Sequence, residues 1–373
     1  MRVTMTSPAI KTFSRRAMLL APVLLALAAC STGGPLMNAS SSKSKAVTPV
    51  SETVGTGKSL VGLLAADDPA NLSDGASGSA YLAARLATNA LAGAPVTLMV
   101  RRFESRPAAL QKAAGEMAQA GVRLVVVSGD ESAARELATA LAPRGVTVAS
   151  LGQVGDVANR LFGAYARKDE TAFSAAEMKR RGYGTIAIVR TGDAASVAYA
   201  NGLAEAAAKV GLKVQFVDGS SAASAAAQLQ SQAAMGFEPK ALAFATGPGR
   251  AVELVTALKA VPELAGVPVV GNGGWAVGAP TGLGKGWYPS LSRAGLAGFA
   301  EKFADAYGTR PTIEAAITYD LVVLGGVLPQ VAADDPFGPT TMTNAQGFTG
   351  VTGSFKFDSS GVARRPFAVV ELK

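Results

Sequence analysis

The sequence predicts an α/β protein built as two doubly wound parallel-sheet lobes joined by a multi-strand hinge. Three observations carry this. Short continuous apolar runs, among them Ser59–Ala66 (SLVGLLAA), Val122–Ser128 (VRLVVVS) and Thr185–Arg190 (TIAIVR), alternate with stretches of helical periodicity. A strand that is apolar at nearly every position is covered on both faces, which is the condition of a parallel sheet. The alternation runs through once and then restarts, and 373 residues suffice for two such units.

In the first unit, strand Ser59–Ala66 is followed by a helix over Gly78–Leu91, strand Pro95–Val100 and a helix over Pro107–Ala120. Strand Val122–Ser128, a helix over Ser132–Leu141 and strand Val146–Ser150 complete it. The first crossing between lobes is placed near Gly152–Lys168. The second unit reads as helix Lys168–Arg181, strand Thr185–Arg190, helix Ser196–Val210, strand Lys213–Val217 and helix Ala222–Ala234. Strand Ala241–Thr246, a helix ending at Lys259 and strand Val267–Val270 follow. Two helices come next, Arg293–Tyr307 and Thr312–Val331. Two strands, Gly350–Phe357 and Phe367–Leu372, are joined by an Asp358-Ser359-Ser360-Gly361 turn. Because these elements come after the second unit, the chain recrosses at least once. The expected layout is a signal segment over 1–29, a flexible tether over 30–58, lobe 1 over 59–165 and lobe 2 over 166–292. Residues 293–373 recross the hinge, and part of them returns to lobe 1. Ligands of such folds sit at the C-terminal ends of the strands, between the lobes.

Composition narrows the chemistry. There is no histidine, and Cys30 is the one cysteine. This excludes Ser-His-Asp and Cys-His hydrolysis, His-ligated metal sites and any intrachain disulfide. No catalytic residue, metal ligand or cofactor site is assigned. The formal charge is +8, but Arg2, Lys11, Arg15 and Arg16 lie in the first thirty residues, so about half of it belongs to that segment. The remaining charge forms no dense basic stripe interleaved with aromatics, and no nucleic-acid partner is expected. Gly247-Pro248-Gly249-Arg250 lacks the third glycine of a dinucleotide fingerprint. Gly282-Leu283-Gly284-Lys285-Gly286 lacks the Ser/Thr that follows the lysine of a P-loop.

The N-terminus reads as an export signal. A basic stretch ending in Arg15-Arg16 precedes the apolar run Ala17–Ala29, which is too short to span a bilayer. Leu27-Ala28-Ala29-Cys30 resembles the bacterial lipobox, so Cys30 is the expected lipidation site and the mature chain is held to a membrane leaflet from the periplasmic side. Ser14-Arg15-Arg16 also resembles a twin-arginine signal, and both secretion routes stay open. The Ser-, Thr- and Lys-rich segment from Ser31 to Lys58 has no apolar periodicity and reads as a tether.

Three segments of the body resemble type I periplasmic binding proteins, in the leucine/isoleucine/valine-binding branch. They are Tyr307-Gly308-Thr309-Arg310-Pro311 with Ala315-Ala316 and Tyr319-Asp320; Phe348–Phe357 with Asp358–Gly361; and Ala120-Gly121-Val122 with Val127-Ser128-Gly129. The resemblance runs from about Leu60 to the end. It implies a non-enzymatic receptor that takes a small organic ligand, amino-acid-like or related, into the interlobe cleft and delivers it to an ABC permease. The implied alternative is a lipoprotein that resembles penicillin-binding-protein activators and regulates a peptidoglycan synthase by protein contact.

The resemblance also implies binding positions. Ser132, in the loop after the third strand, takes the place of the serine that meets the ligand carboxylate; helix capping explains a serine there equally well. The next loop, Ser150-Leu151-Gly152-Gln153, lacks the family's threonine, and Ser150 or Gln153 stands in for it beside Gly152. The family's ligand-packing tyrosine aligns with Ala195-Ser196, and Tyr199 follows one helical turn later. The loop that usually carries an acid for the ligand ammonium is Gly271-Asn272-Gly273-Gly274-Trp275, with Asn272 and Trp275 but no carboxylate. A buried ammonium without a counter-charge is costly, so an ordinary amino-acid mode is doubtful unless Asp193 or Asp218 supplies the charge. Trp275 and Trp287 lie in the Gly-rich run from Gly271 to Tyr288, which reads either as an aromatic cleft wall or as packing between loops and helices.

Overall fold

The computed structural model describes residues 48–66, 76–103, 106–278 and 280–372. The expected signal segment 1–29, the expected lipidation site Cys30 and most of the expected tether lie outside the described residues.

In chain order the first lobe holds β1 (Glu52–Val54), β2 (Ser59–Ala66), α1 (Ala76–Ala87), β3 (Val96–Phe103), α2 (Pro107–Gln119), β4 (Leu124–Ser128), α3 (Glu131–Leu141), β5 (Thr147–Ser150) and β6 (Leu161–Gly163). The second holds α4 (Arg167–Arg180), β7 (Thr185–Arg190), α5 (Ala194–Lys209), β8 (Lys213–Asp218), α6 (Ala222–Ala234), β9 (Ala241–Phe244), α7 (Pro248–Lys259), β10 (Val269–Val270), α8 (Trp275–Gly278) and β11 (Gly286–Ser290). Then come α9 (Arg293–Tyr307), α10 (Ile313–Val331), α11 (Pro339–Met342), β12 (Phe348–Gly350), β13 (Gly353–Phe357), β14 (Ala363–Arg364) and β15 (Ala368–Glu371).

Among the described residues the two large sheets have the orders β1-β3-β2-β4-β5-β6 and β15-β11-β10-β9-β7-β8. Within each, the five strands built by β-α units run parallel, and one antiparallel strand closes an edge: β1 on β3, and β15 on β11. The strand order reverses between β2 and β4, the topological switch point of a doubly wound sheet.

The continuous apolar runs have a simple cause. In β2, Val61 and Leu63 enter one core, with α1 and α10, while Leu64 and Ala66 enter another, with α2 and α3. Lobe 2 repeats this, with Ile186 and Ile188 on one side of β7 and Ala187 and Val189 on the other. By length and composition α10 could cross a membrane, yet 67% of its apolar stretch is buried inside the protein. It packs on α1 and β2 as a core helix of lobe 1.

Among the described residues the chain passes between the lobes three times, at β6–α4, β11–α9 and β14–β15. The first and third passages lie side by side. Gly163 N donates to Gly361 O at 2.9 Å, and the buried Arg365 donates through Nη2 to Ala164 O at 3.1 Å. Arg364 pairs with Asp169 at 2.8 Å.

Several expectations need correction. Gly350–Phe357 is not one strand: β12 and β13 form a hairpin turning at Val351-Thr352. Asp320 on α10 accepts from both turn N–H groups, at 2.7 and 3.0 Å, and this fixes the turn where pattern alone shows a continuous run. The Asp358–Gly361 turn leads into β14, and the last strand joins the other lobe. The last residues of the segment expected to be a flexible tether are part of lobe 1: Glu52–Val54 pairs with β3, and Thr97 Oγ1 donates to Gly57 O at 2.7 Å. The Gly-rich run after Gly271 contains α8 and β11, both internal to lobe 2.

Candidate functional site

A cavity of about 460 Å³ opens at the C-terminal ends of the lobe 1 strands. Ala66 closes β2 there, Phe103 closes β3, Ser128 closes β4 with Gly129 after it, and Leu151 and Gly152 follow β5. It therefore sits at the switch point, where the loops after β2 and β4 diverge. The opposite wall belongs to lobe 2: Arg167 at the start of α4, and Ala194, Ala195 and Ala198 on the first turns of α5. Glu314, in the first turn of α10, completes the floor.

The edge of the cavity is built by strand-to-helix junctions. Asp130 N-caps α3 by accepting from Ala133 N at 2.7 Å. Ser132 is thus not the cap; it lies in the first turn, exposed, on the cavity wall. Ser77 and Ser128 share a hydrogen bond of 3.1 Å that joins α1 to the end of β4. Arg167 pairs with Glu314 at 2.8 Å across the lobes, and its guanidinium lies 5.7 Å from the Tyr165 ring centroid.

Of the eight positions expected from the sequence, Ser132 and Gly152 line this cavity. The others do not, and each has another occupation. Ser150 Oγ, buried, accepts from Gly152 N at 3.1 Å and shapes that loop. Gln153 Oε1 accepts from Lys168 N at 3.1 Å, fastening the loop to α4. Ser196 Oγ accepts from Thr191 N at 3.0 Å, inside the N-terminal turn that Asp193 caps. Asn272 Nδ2 donates to Thr246 O at 2.9 Å. Trp275 is fully buried in lobe 2 and donates from Nε1 to Thr246 O at 3.0 Å. Tyr199 is buried in the same lobe, where burial, with the Glu170 charge adding to it, raises its pKa well above the ordinary tyrosine value. Trp287 is likewise core, so the aromatic wall is packing, because β11 turns that ring inward under α4 and α5. Asp193 and Asp218 hold hydroxyls and N–H groups of their own loops.

The carboxylate missing from the Gly271–Trp275 loop arrives from elsewhere. Glu170 on α4 is buried, accepts from Gly273 N at 2.6 Å, and accepts from the Tyr165 hydroxyl. Burial, and next the Glu170 charge, raise the Tyr165 pKa well above its usual value. Sequence reasoning also missed Phe103, Arg106, Arg167 and Glu314. Their signal was position: each stands where an apolar strand ends or a helix begins, which is where this architecture gathers ligand contacts.

Two doubly wound lobes, three passages between them and a cavity walled by both define a two-lobed ligand receptor. The chain belongs to the periplasmic binding protein family, whose model, described as "Periplasmic binding protein", matches residues 65–373. Similar solved structures include an ABC transporter substrate-binding protein from Desulfitobacterium hafniense in complex with Leu. It has 17% identity and a TM-score of 0.57, covering 84% of this chain and 97% of that one. A periplasmic ligand-binding protein of a branched-chain amino acid ABC transporter from Burkholderia xenovorans has 14% identity and a TM-score of 0.62, with coverage of 84% and 90%. A solute-binding protein from Rhodopseudomonas palustris in complex with 3,4-dihydroxybenzoic acid has 13% identity and a TM-score of 0.62, with coverage of 84% and 92%. At these identities the likeness establishes the fold. Among curated proteins none matches this sequence.

Proposed function

We propose that this protein is a non-enzymatic solute receptor of the periplasm that captures a small organic ligand between its lobes and presents it to an ABC permease. The observation that carries the reading is the cavity of about 460 Å³ at the switch point, lined from both lobes. A ligand touching both walls binds the closed form more tightly than the open one, and this differential affinity drives closure. The family and the solved relatives support the reading, since their ligands are an amino acid and an aromatic acid.

The test is a thermal-shift screen over amino acids, amides, aromatic acids and peptides, followed by calorimetry. A true ligand at a hundred times its dissociation constant adds about 2.7 kcal/mol of stability. Ser132→Ala is expected to weaken that ligand's binding by about 1 kcal/mol or more, near fivefold, because Ser132 lines the cavity while Asp130 caps α3. Silence across the screen, with copurification of a peptidoglycan synthase, would instead support the cell-wall activator reading.

Cys30 completes the proposal as the lipid anchor, supported by Leu27-Ala28-Ala29-Cys30. Cys30→Ser is expected to move the protein from the membrane fraction to the soluble periplasmic fraction. Unchanged membrane retention of the variant would remove the anchor from the account.

A further inference from the structure

We propose that the outer edge of β8 is a strand-addition surface for a second copy of this chain, held shut by two glutamines of α6, Gln228 and Gln232. Among the described residues β8 is the last strand of the lobe 2 sheet, paired with β7 on one side only. It has six residues, against three in β1, three in β6 and four in β15, so it is the longest edge strand of the two large sheets. An edge of this length presents a row of N–H and C=O groups with which another extended chain can pair.

Backbone alternation decides which groups face out. Lys213 N donates to Gly184 O at 3.0 Å and Gly219 N to Arg190 O at 2.7 Å, so the odd-numbered positions turn their backbone groups towards β7. Val214, Phe216 and Asp218 therefore turn theirs outwards. Two of these outward groups are taken by α6. Gln228 Oε1 accepts from Asp218 N at 2.9 Å, and Gln232 Nε2 donates to Phe216 O at 3.1 Å. One amide thus supplies an acceptor where the strand offers a donor, and the other a donor where it offers an acceptor, as an added strand would. The two glutamines stand four positions apart, on one face of the helix. Ala225 and Leu229 anchor that helix to the core beside Val217.

The side chains of this edge suit a copy of the same strand. Phe216 is 37% exposed, and Val214 is half-buried beside it. Antiparallel pairing of two β8 strands about Phe216 sets outward positions against outward positions. Phe216 then faces its own counterpart, and Val214 faces Asp218 of the other copy, so the two rings lie side by side. The contact is self-complementary under a two-fold axis. In the single chain the Arg190 guanidinium lies 4.1 Å from the Phe216 ring centroid. A charge at a sheet edge opposes pairing and adds to what the glutamines do.

Sedimentation velocity across a concentration series tests this on the purified protein, wild type and Gln228→Ala/Gln232→Ala. The double variant is expected to self-associate about tenfold or more tightly than the wild type. Adding Val214→Pro deletes an outward N–H and leaves the pairing with β7 in place, and it is expected to return association to the wild-type level. Each single glutamine variant keeps one contact and is expected to show a smaller gain, so the outcome is readable even if the double variant folds poorly. Unchanged association in variants whose circular dichroism matches the wild type overturns the inference. A gain that survives Val214→Pro does the same, because the copies then meet elsewhere. Either failure leaves the receptor reading untouched, since β8 does not line the cavity.

Discussion

Asp320→Ala is expected to lower the folding stability by about 3–5 kcal/mol, the cost of removing one member of a buried charge pair. Asp320 lies on α10 and is 3% exposed. Its carboxylate accepts from Val351 N at 2.7 Å, Thr352 N at 3.0 Å and the Thr352 hydroxyl. That hydroxyl accepts in turn from Arg365 Nη1 at 2.7 Å, so a threonine relays between a buried anion and a buried cation. Burial raises the Asp320 pKa, against the lowering influence of the Thr352 bonds and Arg365. Burial also lowers the Arg365 pKa to about 10, with the Asp320 charge opposing it. Alanine would strand two hairpin N–H groups and leave Arg365, 7% exposed, without its counter-charge. A drop in melting temperature of roughly 4–7 °C follows for a folded body of this size. Asp320→Asn keeps an acceptor and loses the charge, so an intermediate drop is expected. Equal, small shifts for both variants would mean that the relay is not what holds the hairpin to α10.

The same cluster explains why three short sequence segments carried so much of the fold. Tyr319-Asp320 and the Phe348–Phe357 segment are separate motifs in the sequence but one contact in the molecule. Gly350 belongs to it as well: a Cβ there would lie 2.2 Å from Asp320 Oδ1, so the carboxylate reaches the turn because that residue has no side chain. Strand and helix positions were legible because a core on each side of the sheet demands apolar residues at every strand position. The hairpin was not, because its turn is made by a partner remote in sequence. Nor was β11 visible, since Gly286, Trp287, Tyr288 and Pro289 spell no apolar alternation, and pairing with β10 and β15 decides it.

The site was legible by its place more than by its residues. Loops after β4 and β5 were expected to form it, and Ser132 and Gly152 do line it. The small polar residues near them turned inward, because a strand-to-helix junction leaves N–H groups that the nearest side-chain oxygen satisfies. Ser150 and Ser196 serve such junctions. Arg167 and Glu314 escaped notice because each is an ordinary charged residue in a first helical turn, and the hinge alone brings them together across 147 positions of sequence.

Trp275→Ala is expected to remove about 3–5 kcal/mol of stability while leaving the affinity of a cavity ligand within about threefold, since the ring contributes to the lobe 2 core and not to the cavity wall. Trp275 is fully buried, packs near Phe244 and Tyr288, and holds Thr246 O through its indole N–H. Its ring presses on the backbone of Gly271, where a Cβ would meet ring carbons at 2.3 Å. The loop that lacks a carboxylate is therefore shaped from behind by an aromatic plate and from the side by Glu170, through Gly273 N. Trp275→Phe keeps most of the plate and loses the N–H, so it should cost less than the alanine variant. Calorimetry below the melting transition separates affinity from folding. An affinity loss of tenfold or more in Trp275→Phe, with its melting temperature unchanged, would put the ring in contact with the ligand and return this loop to the binding wall.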